Sequence, residues 1–190
     1  MNTSYIEGQH FDGRDFTKEG LSKGEYENCT FRNCNLSKTN LNTIIFSECT
    51  FESCDLSMAN VASSCFRETK FRKCKLLGLR FDQCNSMLLS FSFEGCILDF
   101  CSFYKLRLKN IVFNDCSLQE VEFSEADLTN GKFLNCDLLR AVFERTDLGG
   151  TDFRTARNFS IDPELNNIKK AKFSVQNVHG LLDKYNIEIE

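Results

Sequence analysis

Eleven cysteines and two histidines are the residues of this chain that could do nucleophilic or metal chemistry. Cysteine–histidine catalysis needs an imidazole beside a thiol, and His10 and His179 stand near opposite ends of the chain. Zinc sites favour tight C-x-x-C pairs. The recurrent spacing here is instead C-x4-C, as in Cys29 and Cys34, Cys49 and Cys54, and Cys96 and Cys101. There is no glycine-rich phosphate loop, no H-E-x-x-H and no nucleophile elbow. The expectation is a chain that is not an enzyme, with no catalytic residue, no metal and no cofactor.

The cysteines have a positional reason to exist. All but Cys65 fall two residues before a slot in a five-residue frame, with Cys84 read in the frame that precedes it. The same slot elsewhere holds Ala59, Ala126, Ala141, Ser64, Thr39, Thr146 and Thr151. The requirement is for a small, buried side chain, which a reduced cysteine meets. Six of the cysteines (Cys34, Cys54, Cys74, Cys96, Cys116 and Cys136) form one column. In-register copies point the same way rather than at each other, so free thiols are expected.

The frame itself is carried by large side chains. Phe11, Phe31, Phe51, Phe71, Phe93, Phe113, Phe133 and Phe153 recur at a step of 20 residues, broken once by a step of 22. Between them every fifth residue is apolar, up to Phe81 and again from Leu88. Neither a helix nor a strand gives this period. It is the signature of a solenoid, one large residue per side and four sides per coil. Each five-residue unit reads as small, polar, Leu or Phe, then two mostly polar residues. Asn, Asp, Ser and Thr at the flanking slots suit corners, because they hydrogen-bond nearby backbone. Two extra residues fall within 82–87. They are either a bulge absorbed at a corner or a small loop that touches a partner.

At 190 residues with a net charge of −4, overall charge gives no reason to expect nucleic-acid binding. No run of apolar residues is long enough to span a membrane, and the first ten residues carry no signal pattern. The chain reads as soluble and cytoplasmic. Residues 1–157 are expected to form the repeat domain and 158–190 a cap. After Phe153 the period fails, and Asp162-Pro163-Glu164 reads as a helix start. A second helix is expected over about 175–185, with Val175, Val178, Leu181, Leu182 and Tyr185 in one stripe. Asn186 to Glu190 alternates like an edge strand. This segment could close the end of the solenoid or join two subunits, and the apolar stripe with Ile187 and Ile189 favours a homodimer.

Units such as Ala126-Asp127-Leu128-Thr129-Asn130 and Cys136-Asp137-Leu138-Leu139-Arg140 resemble the pentapeptide-repeat protein family, whose motif is A-(D/N)-L-x-x. The resemblance implies an all-β solenoid, a right-handed quadrilateral β-helix of about seven coils, here with a small C-terminal α-helical segment. The stretches FEGCILDFCSFYKLRL (93–108), FSEADL (123–128), IDPELNNIKKAKFS (161–174) and LLDKYNIEIE (181–190) are similar to members that protect DNA gyrase and topoisomerase IV. Those are the albicidin- and microcin-immunity and Qnr types. In them the C-terminal segment joins two subunits. The resemblance implies that role for Val178, Leu181, Leu182, Tyr185, Ile187 and Ile189.

Charge is uneven along the chain. Residues 67–93 are rich in Arg and Lys, whereas Asp115, Glu120, Glu122, Asp127, Asp137 and Asp147 lie in an acidic second half. Such acids could imitate the phosphate line of DNA and enter the DNA-binding groove of a topoisomerase. Against this, columns such as Asp12, Arg32, Glu52 and Arg72, or Lys105, Glu125 and Arg145, look like self-satisfied surface ladders. The other expectation is therefore a scaffold solenoid that binds some other protein.

Overall fold

A computed structural model describes residues 4–87 and 89–188. Leu88, where the frame was expected to resume, and Ile189 lie outside the described residues. The chain winds as a parallel β-helix with four faces. On the first face seven strands pair in parallel: His10–Asp12, Thr30–Arg32, Thr50–Glu52, Thr69–Arg72, Phe91–Glu94, Val112–Asn114 and Lys132–Leu134. On the fourth face Ser4–Glu7, Gly24–Glu27, Ile45–Ser47 and Cys65–Arg67 form a second parallel sheet. The other sides pair through single bridges such as Asn35 with Asp55 and Ser102 with Glu122. Register is strict: Phe11 lies beside Phe31, Phe31 beside Phe51 and Phe71 beside Phe93.

The first-face rings form one unbroken pile. Phe31 and Phe51 stack at 4.7 Å, Phe93 and Phe113 at 5.3 Å, and Phe133 and Phe153 at 4.9 Å. The pile does not stop at Phe153. Phe173 stacks on it at 5.4 Å, and bridges join Asp147 to Asn167 and Asp152 to Lys172. The period that lapses after Phe153 thus resumes at Ile168 and Phe173, which pack against the core.

A second aromatic pile lies edge-on to the first, and it changes sides. In the N-terminal coils it is Tyr26, Phe46 and Phe66 on the fourth face, with Leu41 and Val61 on the third. From Phe81 onward it is Phe81, Phe103, Phe123 and Phe143 on the third face, with Leu108, Leu128 and Leu148 on the fourth. From Phe31 to Leu148 the coils therefore keep two rings at their inward centres, whereas the first coil holds three, Phe11, Phe16 and Tyr26. The switch occurs where Phe66 meets Phe81 edge-to-face at 6.1 Å, next to the two extra residues. Phe91 fills the space that this exchange opens, 5.3 Å from Phe81 and 5.2 Å from Phe93. It occupies a slot that holds Cys29, Cys49 and Thr69 in earlier coils. The insertion is thus tied to a change in core packing.

The corners carry a feature that spacing did not reveal. At most corners the residue two past an inward centre has positive φ whether or not it is glycine: Asn33 at 52°, Lys38 at 55°, Thr43 at 62° and Phe100 at 62°. The left-handed conformation turns the chain while leaving that residue's N–H pointing along the rod. Lys38 N–H, for example, donates to the Ser57 carbonyl of the next coil at 2.9 Å.

The C-terminal segment is not α-helical, which corrects the expectation for 162 onward. Asp162 caps a turn: the Glu164 N–H donates to Asp162 Oδ1 at 2.8 Å, and the repeat then resumes. Residues Val178–Leu181 and Asp183–Tyr185 are short 3-10 turns. Gly180 explains this. The Ile161 N–H donates to the Gly180 carbonyl at 2.9 Å. A Cβ on Gly180 would lie 2.3 Å from the Phe159 carbonyl oxygen. Docking the backbone this closely onto the last coil leaves no room for a regular helix with side chains on all sides.

Candidate partner-binding surface

The eleven cysteines are free and buried. Small size is only half of what their slot demands. Cys54 Sγ donates to the Phe31 carbonyl at 3.3 Å, Cys74 to Phe51 at 3.4 Å and Cys96 to Phe71 at 3.4 Å. Thr146, Thr151 and Asn166 reach the equivalent carbonyls from the same slot at 3.0, 2.9 and 2.8 Å. The slot therefore favours a small donor that satisfies a carbonyl of the preceding coil, as buried polar groups require. Burial pushes the Cys49 and Cys84 thiols up to about 12, so they are neutral at physiological pH. Among the described residues no group of three or more His, Cys, Asp or Glu could hold a metal ion, and no helix is long and apolar enough to cross a membrane. His10 and His179 are both exposed.

The six acids do not form one line. Asp127 and Asp147 share a ladder with Arg107 and Asn167. Glu122 lies in another, between Ser102 and Val142. Asp137 lies in a third, between Ser117 and Arg157. Asp115 and Glu120 sit at corners, with φ of 53° and 55°.

Three of the six meet a cation. Glu120 is 3.5 Å from Arg140, Asp127 is 3.3 Å from Lys109 and Asp137 is 3.8 Å from Arg157. The other three hold neutral donors. Asp115 accepts from Asn135 Nδ2 at 3.0 Å. Glu122 accepts from the Ser124 N–H at 2.7 Å. Asp147 accepts from the Gly149 N–H at 3.0 Å and Asn167 Nδ2 at 2.9 Å. Burial opposes ionisation of Asp127, but the Thr129 hydroxyl and N–H, with Lys109, outweigh it and hold the carboxyl below its usual range.

The self-satisfied ladders are present too. Arg32 pairs with Glu52 at 2.9 Å and Arg72 with Glu94 at 3.4 Å. Glu125 sits between Lys105 at 3.4 Å and Arg145 at 3.0 Å. Arg145, with Lys105 and the Tyr104 hydroxyl, keeps the Glu125 carboxyl below its usual range.

The residues expected at a dimer interface fall into two groups. Leu181 is half-buried and packs on its own core, and Leu182 is half-buried as well. Val178, Tyr185 and Ile187 are exposed, and Ile189 lies outside the described residues. The Tyr185 hydroxyl donates to Glu164 at 3.1 Å. Lys184 binds Asp162 at 2.7 Å and Glu164 at 2.9 Å, so its ammonium is held above the usual lysine range, first by Asp162. A shallow depression on this end is lined by His179, Leu182, Asp183, Asn186 and Ile187.

A profile of the pentapeptide repeat region matches residues 25–91 and 86–157. A trypsin-treated form of QnrB1, described as a plasmid-mediated fluoroquinolone resistance protein, is similar in structure with a TM-score of 0.64 and 20% identity. The match covers 98% of this chain and 92% of that one. Full-length QnrB1 matches with a TM-score of 0.64 and 16% identity, over 97% of this chain and 100% of that one. A search of curated proteins returns no match to the sequence.

Proposed function

This chain belongs to the pentapeptide repeat family, and on that premise we propose that it is a non-enzymatic cytoplasmic protein that binds DNA gyrase or topoisomerase IV as a DNA mimic. In doing so it modulates the enzyme's response to antibiotics or toxins. The observation that carries the reading is the stacking of Asp127 on Asp147. There an acidic ladder gains a second carboxylate where the basic ladders gain a partner of opposite sign. Asp115, Glu122 and Asp147 keep charge that no cation within the described residues neutralises, and these carboxylates would meet the Arg and Lys of a DNA-binding groove. The likeness of fold to QnrB1, a fluoroquinolone resistance protein, supports the same reading.

The test is supercoiling by gyrase and decatenation by topoisomerase IV, with purified protein and with and without a fluoroquinolone. The expected result is inhibition by the protein alone or relief of the drug's effect. No change in any of these assays with the protein in large excess would overturn it. A second reading, a scaffold solenoid with a different protein partner, is favoured by one observation: the acids are dispersed over three ladders and the corners, and half of them are neutralised within the chain. Under it the topoisomerase assays stay flat.

A further inference from the structure

The second face and its corner carry an apolar strip that the repeat does not require. Three successive coils bring it together: the Met58 N–H donates to the Leu77 carbonyl at 2.8 Å, Gly78 to Asp99 at 3.0 Å and Phe100 to Gln119 at 2.9 Å. Met58 is 61% exposed, Phe100 56% and Ile97 38%. Met58 lies flat across Gly78, where a Cβ would come within 2.5 Å of its sulfur. Phe100 is a bulky aromatic held at φ of 62°, a corner position that other coils fill with Lys38, Glu120 or Arg140. An exposed aromatic in a strained backbone position contributes nothing to its own core.

The margin of the strip carries two free lysines beside carboxylates that are already engaged: Asp55 is laddered to Lys75, and Asp99, between Ile97 and Phe100, accepts from the Ser117 hydroxyl at 2.6 Å and the Gln119 N–H at 3.0 Å. Lys75 is laddered to Ile97 on the same face. With Lys73 it edges a shallow depression that also includes Asn33, Asn35 and Asp55. Neighbouring cations are already engaged, Arg72 with Glu94 and Arg80 with Asp82. Lys73 and Lys75 enter no ion pair among the described residues. The nearby Asp55 carboxylate accepts from the Ser57 N–H at 2.9 Å.

We infer that this face is a docking surface for a protein segment carrying carboxylates beside a large apolar side chain. The carboxylates meet Lys73 and Lys75, and the apolar side chain packs on Phe100, Met58 and Ile97. Contiguous apolar surface with a polar rim is the usual mark of such a site, with an aromatic as its anchor. A second copy whose two-fold axis passed beside these lysines would set like charges against each other, which disfavours it. An anionic membrane draws on larger basic clusters than two free lysines. The strip shares its ladder with Asp137, two coils beyond Ile97 through Ser117, and its corner column with Glu120, but its test involves no topoisomerase.

The experiment is to pan a display library of short random peptides on the full-length chain and measure the selected peptides by fluorescence polarisation. Selected sequences are expected to combine Asp or Glu with a large apolar residue. Phe100→Asn, which suits the left-handed corner and so preserves the fold, should weaken them about tenfold. Lys73→Glu with Lys75→Glu should do the same, with thermal stability retained in both. The inference is overturned if the peptides show no acidic enrichment, or if Phe100→Asn leaves their affinity unchanged. It is also overturned if Phe100→Asn instead abolishes self-association in sedimentation, or abolishes binding to phosphatidylserine vesicles.

Discussion

At the scale of single residues, the fold stores strain at its corners and relieves it nowhere in the core. Thr43 is exposed, β-branched and held at φ of 62°, where a β-branched residue is a genuine outlier. Its N–H is used, donating to Ala62 at 3.1 Å, but no hydrogen bond engages its side chain among the described residues. Thr43→Asn should therefore raise stability by about 1 kcal/mol, read as a higher urea midpoint with an unchanged slope. A lower midpoint would contradict the assignment. The buried thiols predict an alkaline limit. Cys49 and Cys84 titrate near 12 when folded but near 8.5 when unfolded. The folded state then retains protons that the unfolded state loses. Stability from these groups is complete below about pH 8.5 and declines above it, by roughly 1 kcal/mol per pH unit for each thiol. Urea midpoints measured across that window should fall, and Cys49→Ala should make the decline shallower. The inward Phe, Leu and Cys were legible because burial in register leaves a mark at fixed spacing. The positive-φ corners were not, because Lys, Glu, Arg and Ser, and once each Thr and Phe, occupy them beside Asn.

At the scale of elements, the sequence reading and the structure part company in the C-terminal segment. Asp162-Pro163-Glu164 has the chemistry of a helix start, and Val178, Leu181, Leu182 and Tyr185 have helical spacing. Two long-range demands override both. Asn166 is drawn into the inward slot, donating to the Phe143 carbonyl at 2.8 Å. Gly180 is pressed onto Phe159. Neither contact follows from local pattern, since each depends on where the preceding coil ends. Gly180→Ala is the direct test. Its methyl would meet a backbone oxygen, so about 1–3 kcal/mol of stability should be lost. The Ile161 amide, which donates to the Gly180 carbonyl at 2.9 Å, should exchange faster. Unchanged exchange there would mean that the segment does not rest on the last coil as described.

At the scale of the whole molecule, association is the open variable. Among the residues assigned to a dimer contact, Leu181 packs against its own core. Leu181→Asp would thus confuse folding with assembly. Val178→Asp and Ile187→Asp, both at exposed positions, separate the two. Each should give half the mass in sedimentation while the melting transition stays in place. A wild-type chain that sediments as one subunit would refute the dimer. The acidic candidates were visible as residues but not as a surface. Charge sign can be read from the chain, whereas which ladder a residue joins, and which cation one coil away meets it, depends on register.

The side-switch of the second aromatic pile divides the rod into two grammars. From Phe31 to Phe66 a lap reads ring, aliphatic, aliphatic, ring; from Phe93 on, ring, aliphatic, ring, aliphatic. A gene duplication that copies one whole lap within either half preserves the order, so such a chain should lengthen without penalty. A splice that joins laps from opposite sides of the switch would place two rings against each other, or none. Growth of this protein in evolution, or by engineering, is therefore free in steps of one lap on each side, whereas a new crossing of the middle needs the accommodation that Phe91 and the two extra residues supply here.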